Sequence, residues 1–200
     1  MATKENILQR VRKCQPPVVI LPPLFTEGIE FADRRNQFLT VLEQVGGQGI
    51  IVPDLTQADH QIRQLPVFQN AKQIVTLVEG VGGSKRDLTD IGRPHELVDV
   101  DVAIAPGRFA VAENGAVWIT DADIAQRAIY FICQHLVLVV PASEIVDTMH
   151  QAYQRLGTTL LEHHFGCFLS GPSKTADIEQ SLVIGAQGPR SHTVVLVENM

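Results

Sequence analysis

The sequence predicts an α/β fold, a three-layer, Rossmann-like arrangement around a mainly parallel sheet. Short runs rich in β-branched residues, Gly49 to Pro53, Ile74 to Val78, Leu136 to Val140 and Thr193 to Val197, are too brief for helices and read as strands. Stretches of helical periodicity separate them, which is the alternation of a sheet built from strand–helix–strand units. The runs are apolar at consecutive positions, as in strands covered on both faces.

The elements follow in order. Lys4 to Lys13 reads as a short polar helix, and Cys14 to Glu27, with Pro16, Pro17, Pro22 and Pro23, as an extended arm. Phe31, Phe38, Leu39, Leu42 and Val45 recur at helical spacing through Ile29 to Val45, and Gly46-Gly47 supplies the stop. Leu55 to Leu65 fits a polar helix capped by Thr56 or Asp59. Gly80 to His95 reads as surface loop ahead of the strand pair Val98 to Ala105 and Ala110 to Thr120. Asp121 or Asp123 caps a helix running to about Cys133. Ser143 caps another through Ile145, Met149, Ala152 and Leu156, ended by Gly157. A last helix, with Ile178, Leu182 and Val183, is expected after Gly171-Pro172.

Two hundred residues with 45% apolar content suit one domain spanning 1–200, its N-terminal helix and Pro-rich arm occupying 1–28. A net charge of -6 with both signs interspersed leaves no basic stripe for a nucleic acid. No apolar run approaches the roughly 18 residues of a membrane helix, and the N-terminus does not resemble a signal peptide, so a cytoplasmic location is expected. Cys14, Cys133 and Cys167 are scattered and odd in number. They support neither a disulfide framework nor a four-thiolate cluster, so no cofactor is evident in the chain and any redox centre is expected on a partner.

The candidate site is the run Ser170 to Glu179. Gly171 and Pro172 precede Ser173, Lys174 and Thr175 at an expected helix start, where backbone N–H groups, the helix dipole and Lys174 could converge on an anion; plain helix capping explains the same residues equally well. Asp177 and Glu179 complete the run. Gly185 to Arg190 forms a second glycine-bearing loop, with Arg190 either a bidentate anion contact or a solvated side chain. Glu113-Asn114-Gly115 lies between two β-rich stretches. Asn-Gly is the signal of a tight hairpin turn, and Glu113 is also placed to act as base or nucleophile. His163, His164 and Cys167 lack a metal-site spacing, so no metal is expected. The run Gly80 to Arg86 lacks a dinucleotide fingerprint.

Ser170 to Glu179, Gly185 to Arg190, the terminal Val-Val-Leu-Val-Glu and the segment Asp101 to Thr120 resemble LUD-domain proteins of the lactate-utilisation protein C (LutC/YkgG) type, over about residues 70 to 200. Family members commonly carry His-Gly-Pro where this chain has Gln187-Gly188-Pro189, and Thr where it has Asn114. The resemblance implies a NagB/RpiA/CoA transferase-like fold, whose ligands are phosphosugars, CoA thioesters or folates. It also implies a role in oxidising L-lactate to pyruvate beside iron–sulfur partner proteins, with this subunit itself non-redox and binding an anionic ligand. Glu113-Asn114-Gly115 looks like the segment that carries the nucleophilic glutamate of CoA transferases. The alternative is therefore a stand-alone enzyme acting on a CoA-, acyl- or phosphate-bearing ligand through Glu113. The residues do not decide whether the chain is an enzyme, and homo-oligomerisation is left open.

Overall fold

The computed structural model describes residues 3–20, 28–83, 88–89, 91–122, 124–157, 164–176 and 182–200. Its centre is a five-stranded, wholly parallel sheet of β1 (Gln48–Val52), β2 (Ile74–Thr76), β3 (Val102–Pro106), β6 (His135–Pro141) and β11 (Ser191–Val197), in the order β1-β11-β6-β3-β2. All four apolar runs are strands of this sheet, as their composition predicts.

One face packs on α3 (Leu55–Gln64) and α4 (Pro66–Gln69), where Ala58 and Ile62 meet Val137, Val139, Val195 and Val197. The alternate residues Leu136, Leu138, Val194 and Leu196 point to the other face, as the two-residue period of a strand requires. That face is covered by α2 (Arg34–Gln44), α5 (Ile129–Ile132) and a second sheet. The second sheet contains β4 (Phe109–Val111), β5 (Ala116–Thr120), β7 (Ile145–Val146) and β8 (Gly166–Leu169), in the order β7-β4-β5-β8. Its outer surface carries Phe109, Trp118 and Phe168 against Ala152 and Leu156 of α6 (Met149–Leu156).

Several local expectations are corrected. Helix α2 begins at Arg34 rather than Ile29, because Asp33 caps it by accepting the Asn36 N–H at 3.0 Å. It ends as expected: Gly46, at φ +81°, donates to Glu43 O, and Gly47 donates to Leu42 O, both at 2.8 Å. The cap of α3 is Asp54, which accepts from Gln57 N at 2.8 Å; Asp59 is turned to Arg63 and to the Gly82 N–H. Val98 to Ala105 is strand only from Val102 onward, after a 3-10 turn at Pro94–Leu97. Among the described residues of the helix expected after Asp121, only α5 is helical; Asp123 lies outside them. Ile145 and Val146 are strand, not helix, because Ala112 N–H reaches Val146 O across to β4, and Thr148 caps α6 instead of Ser143.

No residue of α1 (Lys4–Lys13) is buried, and the arm beyond it carries Val18 and Ile20 fully exposed. Among the described residues, no helix is long and apolar enough to cross a membrane.

Candidate functional site

The start of the helix expected after Gly171-Pro172 is strand. Lys174–Thr175 (β9) pairs antiparallel with Val183–Ile184 (β10), Thr175 opposite Val183 and Lys174 opposite Ile184. Val183, expected within that helix, is strand because it pairs with Thr175. Asp177, Ile178 and Glu179 lie outside the described residues. No helix dipole therefore faces Ser170 to Thr175 from a helix starting at Ser173.

The same loop is nevertheless joined to the second glycine loop. Ser173 N–H donates to Pro189 O and Gly185 N–H to Ser173 O, both at 2.9 Å. A Cβ on Gly188 would lie 3.1 Å from the Ser173 Cβ, so the two loops touch where Gly188 has no side chain. Gly171, at φ +73°, seats the first loop on the end of α2: a Cβ there would come within 2.6 Å of Val45 O. The Lys174 ammonium donates to that same carbonyl, which belongs to the C-cap residue of α2.

These contacts enclose a cavity of about 300 Å³. Ser170 to Lys174 and Gln187 to Pro189 form its rim, and Phe131, Phe168, Leu136 and Leu169 form apolar wall. His192 also lines it. This second residue of β11 is only 2% exposed, and among the described residues neither ring nitrogen has a hydrogen-bond partner. Burial pushes its pKa down to about 4, so the imidazole is neutral at physiological pH. Sequence reasoning missed His192. The available signal was a lone histidine immediately before an apolar strand, which by itself says nothing about burial or partners.

The other candidate residues are distributed around this cavity. Asn114 O accepts the Ser170 hydroxyl at 2.7 Å, which ties the Glu113-Asn114-Gly115 turn to the rim. The turn is the β4–β5 hairpin that Asn-Gly predicts, closed by Gly115 N–H to Val111 O at 3.0 Å. Gly115, at φ +66°, allows it to lie on α2, where a Cβ would come within 3.0 Å of Leu42 backbone. Glu113 lines neither this cavity nor the cleft described next. Its carboxylate accepts the Met149 N–H at 2.8 Å, an anion at the N-terminus of α6. Glu113→Gln is therefore expected to lower stability by about 0.5 kcal/mol in urea unfolding. Loss of function with unchanged stability would instead give the carboxylate a chemical role.

Arg190 points elsewhere. Its backbone N–H donates to Gln134 O at 2.7 Å, and the residue lines an open cleft with Asp101, Gln134 and His135. There His135 Nδ1 lies 2.8 Å from Ser191 Oγ, and burial, reinforced by the charge of Arg190, lowers the His135 pKa. The cavity and the cleft both sit toward the amino ends of β6 and β11, whereas open α/β sheets ordinarily bind ligands beyond the carboxyl ends. Among the described residues, no group of three or more His, Cys, Asp or Glu is placed to hold a metal ion.

Comparison with known proteins matches residues 90–197 to the LUD domain. The chain belongs to the LUD domain family. Every residue lining the 300 Å³ cavity falls within the LUD match. The lactate utilization protein C of Shouchella clausii is 31% identical over 117 residues, covering 56% of this chain and 51% of that protein. The protein of the same name from Geobacillus kaustophilus is 33% identical over 101 residues, covering 48% of this chain and 42% of that protein. The chain thus spans about half the length of the curated relatives it matches. A DUF162 family protein of Deinococcus radiodurans, of known crystal structure, superposes with a TM-score of 0.64 at 19% identity, over 85% of this chain and 99% of that one. The likeness supports the LUD domain's fold and says nothing of its ligand.

Proposed function

We propose that this LUD domain is a subunit of an L-lactate utilisation system, acting beside iron–sulfur partner proteins, and that it binds an anionic ligand in the cavity closed by Ser170 to Lys174 and Gln187 to Pro189. The observation that carries this reading is the coincidence of the family match with the cavity: residues 90–197 include both rim loops and the buried His192. The relatives' name supplies the pathway. A non-redox role is supported by the cysteines, since Cys14 is exposed on the N-terminal segment while desolvation raises the thiols of the half-buried Cys167 and of the buried Cys133, the latter to about 12.

Deletion of the gene in a strain without another lactate dehydrogenase is expected to abolish growth on L-lactate. Growth should return with the wild-type chain and not with Gly188→Val, whose side chain would wedge the two rim loops apart. Normal growth of the deletion strain would end the lactate reading.

A further inference from the structure

Packing does not explain His192. Its counterpart across the ladder is Leu136, and a leucine there would leave no polar atom unpaired, whereas the buried imidazole leaves two without a partner among the described residues. A group retained at such a cost and facing a cavity has the character of a recognition element.

The charge around the cavity narrows the ligand. Among the described residues Lys174 is the charged side chain lining the cavity; it stands exposed at the rim and shares its ammonium with Val45 O, while Arg190 lines the separate cleft. A phosphate ester brings about -1.5 to -2 charge and would be left under-neutralised. A single carboxylate would not. Besides the exposed Lys174 and the buried His192 the lining includes Phe131, Phe168, Leu136 and Leu169, a surface for an apolar body.

We propose that this cavity takes a monocarboxylic acid with a bulky apolar body, its carboxylate at Lys174 and a second oxygen, hydroxyl or carbonyl, hydrogen-bonded to His192. The inference rests on the reading of the cavity as the ligand site. A neutral imidazole carries one donor and one acceptor, so it serves either oxygen. A cavity of 300 Å³ is at the small end of ligand pockets, yet a three-carbon acid leaves its aromatic wall unfilled.

The test is titration calorimetry of the full chain at pH 7 with 2-hydroxy-3-phenylpropanoate, 3-phenylpropanoate, L-lactate and phenyl phosphate, in wild type and His192→Phe. The first acid is expected to bind at least about 10-fold more tightly than the other three. In His192→Phe the two phenyl acids should bind within about twofold of each other, because the hydroxyl has lost its partner. If His192→Phe does not fold, the wild-type His192 ring nitrogen shifts are read instead; they should move further with the hydroxy acid than with 3-phenylpropanoate. Tighter or equal binding of L-lactate or phenyl phosphate overturns the proposal. So does a hydroxyl preference that survives in His192→Phe, ring shifts that respond equally to both phenyl acids, or no binding of any probe. Growth on L-lactate is scored separately. A chain that restores growth but binds none of these acids sinks this inference and leaves the lactate reading standing, while a deletion strain that grows normally sinks that reading whatever the probes do.

Discussion

Wild-type stability is expected to fall by about 3 kcal/mol as pH drops from 6.5 to 4, and His192→Phe should abolish most of that loss. In the folded chain burial holds the His192 pKa at about 4, against an ordinary 6.5. Between those values the unfolded chain takes up a proton that the folded chain refuses, so acidification favours unfolding. The contribution is fully present above pH 6.5, is lost progressively as pH falls to about 4, and changes no further below that; a displacement of this size corresponds to about 3 kcal/mol. Asp59, Asp101 and Asp147 also have lowered pKa values, but their unfolded counterparts titrate near 3.8, so their losses come mainly at lower pH. His135 also has a lowered pKa and contributes in the same range, so urea unfolding at pH 7, 6, 5 and 4.5 assigns to His192 the part of the slope that His192→Phe removes. At pH 7 His192→Phe should be at least as stable as wild type, since it removes two unpaired nitrogens. A flat wild-type profile across this range, or the same slope in the variant, would show that His192 is solvated or paired.

The second large effect is expected at Asp147, whose side chain is wholly buried between β7 and α6. Its Oδ1 accepts Phe31 N–H at 3.0 Å and Arg34 Nε at 2.9 Å, while Oδ2 lies 2.7 Å from Arg34 Nη2. Burial alone would raise the Asp147 pKa, but the bond from Arg34 and the Phe31 N–H outweigh it and hold the carboxyl below its ordinary value. Asp147→Ala should cost about 3 kcal/mol, by loss of charge-assisted hydrogen bonds and of the tie between α2 and the second sheet. Arg34→Ala should cost about 2 kcal/mol, less because about half of the Arg34 side chain is already in water, yet still substantial because it strands a buried carboxylate. The double variant should be markedly less destabilised than the sum of the singles, which a double-mutant cycle in urea reads directly. Additive losses would mean that the two side chains act independently. The clamp also bears on the cavity, since α2 ends in the Val45 carbonyl on which Gly171 and Lys174 rest.

Much of the architecture was legible because its signals are local. Gly46-Gly47 ends α2 by hydrogen bonds within six residues, and Asn114-Gly115 turns the chain within four. The four strand runs carry their own composition. The second sheet was only partly legible, because β7 is two residues long and has no period to detect; it exists through its pairing with β4, more than thirty residues upstream. The same reason hid the strand character of Lys174–Thr175, whose partner is Val183–Ile184. The sequence also offered Arg190, on the second glycine-bearing loop, as an anion contact. The backbone bond of Arg190 to Gln134 instead places it in the neighbouring cleft.

By itself, then, the sequence determined the α/β class, the parallel central strands and membership of the LUD family, all of which rest on runs of adjacent residues. Tertiary structure decided that Ser173 and Pro189 close one cavity, that Glu113 accepts the Met149 N–H at the start of α6, and that His192 is buried without a partner among the described residues. Burial and hydrogen-bond satisfaction belong to a residue's neighbours in space, and those neighbours are drawn from elements up to some sixty residues apart.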